Sequence, residues 1–376
     1  MKNYHFSFGV SDQSGWGVFG FNLVIESYFQ KLFNAIPHTE IRFSIPLDPI
    51  LHRVLKELEP IWKSSSSVRA GDTVLAALGN AGIRKSAFEQ HVKQVGLIFF
   101  EHNPLPAHEI RALAEFDHVV AGSTWNFDKL RDFGINRSKL IMQGVNSELF
   151  RPLPKRMMKD RFVVYSGGKL EFRKGQDLVV AAFARFSTRH KDAVLIATWN
   201  SPWKSEVAQS VNRSNATRPL RAAADFSTSV ANWIRENGIA AAQFIDLGTV
   251  PNRFMPDVLR EVDVAVFPNR CEGGTNLVAM EALSSGLTCI ISQNTGHLDL
   301  IRPHSCLPLT RQRPVASIEG CPSQDWGESD VDEIVSYLEK VYTSPKPVEP
   351  DVARASVTDF TWPGAIRTLS EYTSTV

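Results

Sequence analysis

The sequence has few cysteines and no excess of charge of one sign. Its 376 residues include only four cysteines, none of them in a CxxC pair, so a disulfide framework is not expected and a reducing cytoplasm suits the chain better. Lysine and arginine number 41 against 40 aspartate and glutamate residues, which gives a formal net charge of +1. A protein that coats nucleic acid is usually far more basic, so we expect no nucleic-acid partner.

Long hydrophobic runs are missing as well. No apolar run reaches the ~18 residues that would span a bilayer, and the N-terminal MKNYHFSFGV lacks the apolar core of a signal peptide. We therefore expect a soluble cytoplasmic protein, for which a peripheral contact with the inner face of the membrane stays open. Hydrophobic residues make up 43% and charged residues 22% of the chain, as in ordinary globular proteins, which excludes disorder as the main state.

Two common catalytic patterns are absent from the sequence. No GxSxG stretch is present, so the nucleophile elbow of a serine hydrolase is not expected. Several histidines lack a spacing to cysteine or carboxylate that suits a set of metal ligands, namely His5, His102, His108 and His118. The sequence therefore predicts no metal site.

What the sequence does contain is an alternation of apolar runs of strand length with segments of helical periodicity. The first set has predicted strands at 4–10, 41–45, 73–78, 95–100, 118–121 and 140–142, and a helix at 22–33. The second set has predicted strands at 162–165, 193–197, 243–246, 264–267 and 288–292, and helices at 176–185, 255–261 and 276–285. A proline-containing linker at 150–154 separates the two sets.

This alternation predicts an α/β protein with two parallel-sheet domains that face a cleft, in line with roughly 100–200 residues per domain. We place the first domain at 1–150 and the second at 151–359. Ligands of such sheets bind beyond the carboxyl ends of the strands. Two stretches fit the alternation poorly. Residues 200–227 are predicted as a long excursion with some helix, and residues 311–330 as a surface loop.

A glycine-rich segment follows the first predicted strand. Gly15, Gly17 and Gly20 form a GxGxxG pattern, but four polar residues separate it from the strand, and no acidic residue closes the next strand as dinucleotide binding requires. An NAD site is therefore one interpretation, and a tight turn that glycines permit is another. The third is a loop whose backbone N–H groups meet an anionic or hydroxyl-rich ligand in the cleft.

The strand predicted at 162–165 runs into a basic turn. Gly168 allows the backbone to approach a ligand, and Lys169, Arg173 and Lys174 place cations at the same rim. Residues 151–174 hold eight basic residues against two acidic ones, a local excess in a chain of near-zero net charge. Such a rim suits a diphosphate, whose charge grows as a bond to a phosphate oxygen breaks. The alternative is a solvated linker and helix start.

A second loop follows the strand predicted at 264–267. It holds Glu272, Gly273 and Gly274, and Thr275 is the expected N-cap of the next helix. Glu281 then interrupts the apolar run LVAMEAL, where an ionised carboxylate is costly without a partner. Because helical side chains lean toward the N-terminus, Glu281 would lean back toward the glycines and accept hydrogen bonds from a diol such as a ribose. The alternative is a pair with a basic residue of a packed neighbour.

These segments resemble the GT-B glycosyltransferases, in particular family four, a group of retaining, nucleotide-sugar-dependent enzymes. The resemblance rests on GGKLEFRKG at 167–175 and EGGTNLVAMEALSSG at 272–286, and it extends to QGVNSELFRP at 143–152, DLGTV at 246–250, VDVAVFP at 262–268 and FTW at 360–362. It implies two Rossmann-like domains, the first on the acceptor side and the second on the donor side. It also implies a C-terminal helix, within 360–376, that crosses back to the first domain.

The resemblance further implies roles for the residues that match its motifs. The donor diphosphate would meet Lys169 and Lys174, with Gly168 and Arg173 at the same rim and Gly15 and Gly17 from the first domain. The ribose would meet Glu281, and the transferred sugar would meet Glu272, Gly273, Gly274, Thr275, Asn276 and His102. Catalysis would rest on Lys169, Lys174, Glu272 and His102, without a metal. The alternative for His102 is a histidine whose hydrogen bonds are satisfied at a strand end.

The implied reaction moves a sugar, as in a hexosyltransferase, from a UDP- or GDP-sugar to a glycan, lipid-linked or protein acceptor with retention of configuration. The donor substrate would be the only small molecule required, with no separate cofactor. Two features depart from the family pattern: Glu272 and Glu281 are nine positions apart instead of eight, and Lys169 stands where arginine is common. An NAD-dependent oxidoreductase, a non-catalytic nucleotide- or sugar-binding module of the same fold, and a sugar-nucleotide epimerase are the competing hypotheses.

Overall fold

The structure, a computed structural model, describes residues 1–13, 15–44, 46–85, 92–318, 320–344 and 347–374. Its strands are β1 (Asn3–Phe6), β2 (Val10–Ser11), β3 (Asn34–Pro37), β4 (Ile41–Arg42), β5 (Thr73–Leu78), β6 (Lys93–Ile98), β7 (His118–Ala121), β8 (Ser138–Leu140), β9 (Phe162–Lys169), β10 (Ala193–Asn200), β11 (Phe244–Asp246), β12 (Val264–Phe267), β13 (Thr288–Ser292), β14 (Leu307–Leu309), β15 (Gln312–Pro314) and β16 (Gly327–Ser329).

Its α-helices are α1 (Gly15–Gln30), α2 (Pro49–Ser64), α3 (Ala107–Ala114), α4 (Thr124–Asp132), α5 (Gln176–Arg189), α6 (Val207–Val211), α7 (Phe226–Glu236), α8 (Met255–Leu259), α9 (Leu277–Ser284), α10 (Val331–Thr343), α11 (Pro350–Ala355) and α12 (Trp362–Ser374). Within the described ranges, no helix has both the length and the apolar character that a membrane crossing needs.

The first half of the chain builds one parallel sheet of six strands. Their order is β3-β1-β5-β6-β7-β8, so the winding reverses between β1 and β5. β7 is buried along its whole length, and the inner strands are rich in apolar side chains on both faces. Such continuous apolar runs are typical of parallel sheets that helices cover on both sides.

The second half builds a second parallel sheet of six strands, in the order β11-β10-β9-β12-β13-β14. The first strand of this half, β9, lies beside the fourth, β12, and the winding reverses between them. A crevice opens at the carboxyl ends of the strands at such a switch point, and ligands of doubly wound sheets bind there. The prediction of two parallel α/β sheets is confirmed, and the topology places the turn after β9 and the loop after β12 at one crevice.

The last helix, α12, packs on the first half of the molecule. Trp362 lies edge-on against Phe19 of α1, with ring centroids 5.7 Å apart. The hydroxyls of Tyr4 and Thr373 share a hydrogen bond, and Lys93 Nζ donates to the Thr373 carbonyl oxygen at 2.9 Å. The predicted crossing back of the C-terminal helix is therefore confirmed.

Several elements of the first half differ from the sequence prediction. The strand predicted at 4–10 is two strands, β1 and β2, and the helix predicted at 22–33 begins earlier, at Gly15. The strand predicted at 41–45 is only the two-residue β4, which pairs with β2 outside the main sheet; its last residue, Ile45, lies outside the described residues. The second strand of the main sheet is instead β3, and helix α2 is not among the predicted elements.

The segment predicted as a surface loop at 311–330 is a bridge between the two halves. Strands β15 and β16 pair antiparallel within it. Trp326 is 5% exposed, and its Nε1 donates to the Glu101 carbonyl oxygen at 2.8 Å. Asp325 accepts hydrogen bonds from Asn103 Nδ2 at 2.9 Å and Trp125 Nε1 at 3.0 Å. The prediction was wrong because richness in proline, glycine and serine signals irregular backbone but does not show which partners that backbone finds.

Candidate functional site

The crevice between β9 and β12 brings the basic turn against the glycine loop. β9 is longer than predicted and ends at Lys169, after which a short 3-10 turn, Phe172–Lys174, leads into α5. Gly175 has a φ of 71°, and a Cβ at this position would overlap the carbonyl oxygen of Pro268. Both the backbone conformation and the close approach require glycine. The turn after β9 is thereby pressed onto the chain that follows β12.

Lys174 and Glu272 form an ion pair across this contact, and their side chains are 11% and 7% exposed. Arg173 Nη1 lies 3.2 Å from the other carboxylate oxygen of Glu272. Burial alone would raise the pKa of Glu272, but Lys174 and Arg173 lower it to about 2. Glu272 is therefore ionised at physiological pH, because two cations stabilise its charged form in a site with little water.

Arg173 connects the basic turn to both halves of the molecule. Its Nη2 lies 2.6 Å from Glu171 and 3.5 Å from Glu101, which belongs to the first half. Its Nη1 also donates to the Cys271 carbonyl oxygen at 2.9 Å. With these partners and Glu272, Arg173 fixes the geometry of the turn rather than standing as an unpaired cation.

Lys169 and Lys174 both follow Gly168 in the chain and differ in exposure. A Cβ on Gly168 would lie 3.8 Å from Lys174 Cε, so the lysine side chain passes along the bare glycine backbone. Lys169 is exposed, and its Nζ lies 4.9 Å from the ring centroid of Trp203, itself 53% exposed. The crevice thus has one cation in its wall and one at its solvent rim, and both belong to the predicted set.

Glu281 lies in α9 and is 7% exposed. Its Oε1 accepts a hydrogen bond from Asn252 Nδ2 at 2.5 Å, whereas Oε2 has no hydrogen-bond partner among the described residues. Burial raises the pKa of Glu281 to about 8, and the bond from Asn252 opposes this only in part. The expected alternative, a pair with a basic residue, is not what the structure shows. Glu281 is a buried carboxyl group with one oxygen available to a ligand.

The glycine loop after β12 touches the first half directly. A Cβ on Gly273 would lie 2.5 Å from the Phe100 carbonyl oxygen, and one on Gly274 would lie 2.9 Å from the Phe99 ring. Ser123 Oγ donates to the Gly273 carbonyl oxygen at 2.7 Å. Gly273 is therefore required by the close approach of two backbones, and Gly274 by the Phe99 ring that lies against it. In this arrangement the loop closes one side of the crevice.

We expect Gly273→Ala to separate the two halves at this contact, because its Cβ would meet the Phe100 carbonyl oxygen at 2.5 Å. The expected cost is about 1–3 kcal/mol of unfolding free energy, as for other overpacked sites. Chemical denaturation checks it. Gly79→Ala is the matched control, since no atom lies within 4 Å of a Cβ at that position. Equal stability of the two variants would contradict the contact.

Gly15 and Gly17 lie in the first turn of α1 rather than in a loop, so the expected glycine-rich loop is a helix N-terminus. Next to them, the Trp16 ring lies 5.0 Å from the Phe99 ring, which in turn covers Gly274. Asp12, which precedes α1, contacts the second half: its carbonyl oxygen accepts the backbone N–H of Asn252 at 2.9 Å. Asn252 also contacts the buried carboxyl group of α9. The structure thus brings the glycines of the first half to the crevice.

Thr275 is not the N-cap of α9, contrary to the sequence prediction. The helix begins at Leu277, and Asn276 takes the cap position with a φ of 67° and no capping hydrogen bond from its side chain. Asparagine tolerates this left-handed conformation better than other non-glycine residues. Thr275 Oγ1 donates instead to Met280 Sδ at 3.0 Å. The prediction failed because the helix begins one position later than the cap pattern suggested.

His297 is a site residue that the sequence did not single out. It is fully buried; its Nε2 accepts from Asn276 Nδ2 at 3.0 Å, and its Nδ1 lies 2.9 Å from Ser292 Oγ. Burial lowers the pKa of His297 to about 4, although Glu272 acts in the opposite direction. The histidine is therefore neutral and orients the side chain at the start of α9. Its position just past the carboxyl end of β13 is the signal that would have found it.

His102 lies on the first-half side of the crevice. It lines a small cavity together with Arg173, and its backbone N–H donates to Asn80 Oδ1 at 3.0 Å. Burial, with the positive charges of Arg173 and Arg213, lowers the pKa of His102. Its ring is half-buried, and the ring nitrogens have no hydrogen-bond partner within the described chain.

The chain matches a protein-family model over part of its length. Residues 161–315 fit the model described as glycosyl transferases group 1. This range is less than half of the chain, and it contains the basic turn, the glycine loop and Glu281. No curated protein sequence matches the chain significantly.

Solved structures are similar over the whole chain. Sucrose-phosphate synthase from Thermosynechococcus elongatus has a TM-score of 0.68 at 14% identity, covering 100% of this chain and 98% of that one. Anabaena HepE in complex with UDP-glucose has a TM-score of 0.64 at 14% identity, with 100% of both chains covered. A trehalose-6-phosphate structure from E. coli bound with UDP-2-fluoro glucose has a TM-score of 0.66 at 11% identity, with 100% of both chains covered. The predicted GT-B fold is confirmed.

Proposed function

We propose that this chain is a glycosyltransferase that moves a sugar from a nucleotide diphosphate sugar to an acceptor with retention of anomeric configuration. The observation that carries the proposal is the crevice at the switch point of the second sheet. It combines two lysines at the end of one strand with a buried carboxyl group of which one oxygen has no partner. The family-model match over residues 161–315 and the GT-B fold support the same reaction class.

In this proposal Glu281 binds the ribose of the donor. The available Oε2 accepts one hydroxyl, and Oε1, which Asn252 already approaches, accepts the other. A carboxylate has about four lone-pair sites and can hold both hydroxyls and the amide at once. Burial raises the pKa of this group, and two hydroxyl donors would lower it again because they stabilise the charged form.

Lys174 and Lys169 neutralise the diphosphate, on which negative charge grows as the bond to the sugar breaks. Lys174 is paired with Glu272, but an ammonium has three N–H donors, so two remain for phosphate oxygens. Because the pair is buried, Lys174 Nζ is held in place before the donor arrives, which lowers the cost of binding. Glu272 thus positions the cation and faces the sugar beside it.

Retention requires the acceptor to attack from the face that the leaving group occupies. We propose that the leaving phosphate takes the acceptor proton, as the resemblance to family-four enzymes implies, so that neither a protein nucleophile nor a metal takes part. NMR of the product would show the same anomeric configuration as the donor. An inverted product would overturn this part of the proposal.

The identities of the donor and of the acceptor are proposals as well. Neighbours of this fold were solved with UDP-glucose and UDP-2-fluoro glucose, which favours a UDP-hexose donor, with GDP as the other base to test. A glycan, a lipid-linked group and a protein stay as acceptor classes. The cytoplasmic location, the absence of a nucleic-acid partner and the domain limits at 150 and 359 stay predictions.

A nucleotide panel tests the reaction class. We expect UDP or GDP to raise the thermal midpoint of unfolding, because a ligand that binds only the folded state stabilises it, by about 2.7 kcal/mol at 100 times its Kd. We expect NADH at the same concentrations to leave the midpoint unchanged. Stabilisation by NADH alone would favour the oxidoreductase hypothesis and overturn ours. Binding of UDP without turnover of any sugar nucleotide would favour the non-catalytic module, and a donor epimer as product would favour the epimerase.

A further inference from the structure

A small cavity lies between the two halves, next to the ion pair of Lys174 and Glu272. Its volume is about 150 Å³, half of the ~300 Å³ at which pockets for whole small molecules begin. It therefore suits one chemical group of a larger substrate. The lining comes from both halves: Asn80 and His102 from the first, and Glu171, Phe172, Arg173, Ser210, Arg213 and Trp326 from the second.

One of the two arginines in the cavity wall has no carboxylate partner among the described residues. The charged lining residues are two arginines and one glutamate, and that glutamate, Glu171, lies 2.6 Å from Arg173. Arg213 forms no ion pair with a described carboxylate. Its guanidinium stacks over the Phe172 ring at 4.4 Å from the centroid, and its Nη1 has one contact, with Cys321 Sγ at 3.5 Å. Most of its N–H donors are therefore available to a ligand.

Two further lining groups have unused hydrogen-bonding capacity. Ser210 Oγ accepts the backbone N–H of Phe172 at 3.0 Å, which leaves its own hydrogen to donate. The His102 ring is without a partner among the described residues, and Asn80 holds its backbone in place. Arg213, Ser210 and His102 thus converge on one cavity with donors that suit an oxyanion.

We propose that this cavity binds an anionic group of the acceptor, a phosphate or a carboxylate, with Arg213 supplying the charge. The inference rests on the proposed function, because it assigns the acceptor side of the same crevice. Arg173 borders the cavity and lies 3.2 Å from Glu272, the residue proposed to face the donor sugar. An acceptor bound in the cavity would therefore lie one side chain away from the donor.

Calorimetry with probe sugars tests the assignment. With UDP saturating, so that the diphosphate site is filled, glucose 6-phosphate, glucuronate and glucose are titrated into the full chain. We expect one of the two anionic sugars to bind at least about tenfold more tightly than glucose, the effect of one charge-assisted hydrogen bond. Comparison of glucose 6-phosphate with glucuronate shows whether the cavity prefers a phosphate or a carboxylate. No preference for either anion would overturn the proposal.

Variants then locate the preference. Arg213→Gln is expected to remove it, whereas Arg213→Lys, which keeps the charge, is expected to keep part of it. Arg218→Gln, an exposed arginine in the same excursion, is the matched control and should bind as the wild type does. A preference that survives Arg213→Gln would contradict the role of this cavity. A separate titration of UDP distinguishes two negative results. If UDP does not bind, the proposed function is contradicted. If UDP binds but neither anionic sugar is preferred over glucose, only the present inference is contradicted.

Discussion

Lys174→Met is expected to lower the rate of nucleotide diphosphate release by about 10²–10³-fold, the usual cost of removing one group that stabilises developing negative charge. The reason lies in its geometry: Lys174 is held by Glu272 at the switch point of the second sheet, beside the bare backbone of Gly168. Methionine keeps most of the volume of the side chain and removes the charge together with its three N–H donors. Mass spectrometry of released UDP or GDP measures the effect.

Two controls separate this loss from unfolding. Removing one partner of a buried ion pair can cost about 3–5 kcal/mol of stability, whereas replacing both is often near neutral. The double variant Lys174→Met and Glu272→Gln should therefore recover stability while staying inactive. Lys159→Ala changes an exposed lysine of the same basic stretch and should keep full activity. Activity in the stable double variant would contradict the role of Lys174.

Glu281→Gln is expected to weaken UDP binding by about 10–100-fold at pH 9, because an amide offers one acceptor oxygen where the carboxylate offers two. The pKa of Glu281 is raised to about 8 in the unliganded protein by burial. Below that pH the group is protonated, and a protonated carboxyl resembles the glutamine amide in its hydrogen bonding. The ratio of wild-type to variant affinity should therefore rise as the pH increases from 6 to 9.

Calorimetric titration of UDP into both proteins at pH 6 and at pH 9 shows whether the ratio of their affinities rises with pH. The charge of UDP itself changes over this range but affects both proteins alike, so it cancels in the ratio. Glu148→Gln, on an exposed glutamate, is the control and should give a ratio near one at both values. A ratio that is constant with pH, or that falls toward pH 9, would contradict a ribose contact by Glu281.

The second half of the fold was predictable because its signals are local. β12 and β13 have the predicted bounds, because buried parallel strands are recognisable in a sequence as apolar runs. The turn after β9 and the loop after β12 come together because parallel strands end at the same edge. Sequence alone therefore placed Lys174 and Glu272 in one crevice, without showing that they pair with each other.

The first half and the bridge were less predictable. Helix α2 has a clear start, since Asp48 accepts the backbone N–H groups of Ile50 and Leu51, but three prolines at 46, 49 and 60 obscure its pattern. The bridge at 311–330 depends on partners far away in sequence, such as Trp326 with Glu101. Hydrogen bonds of this kind carry no periodicity, so no local pattern reveals them.

The same limit applies to the carboxyl group of α9. A Glu within LVAMEAL signals a buried carboxylate that needs partners, but nothing nearby in sequence identifies Asn252 as one of them. Nor does the near-zero net charge reveal that Arg213, in the wall of the small cavity, has no ion pair with a described carboxylate. Composition averages over the surface, whereas a binding site depends on a few charges in a small volume.

The most direct test is to incubate the wild-type protein with UDP- and GDP-sugars and to measure released nucleotide diphosphate by mass spectrometry, with and without sugar acceptors. Our account predicts release of UDP or GDP from at least one donor, faster with an acceptor present, and close to background for Lys174→Met. No release above background from any donor, or equal release by wild type and variant, would contradict it.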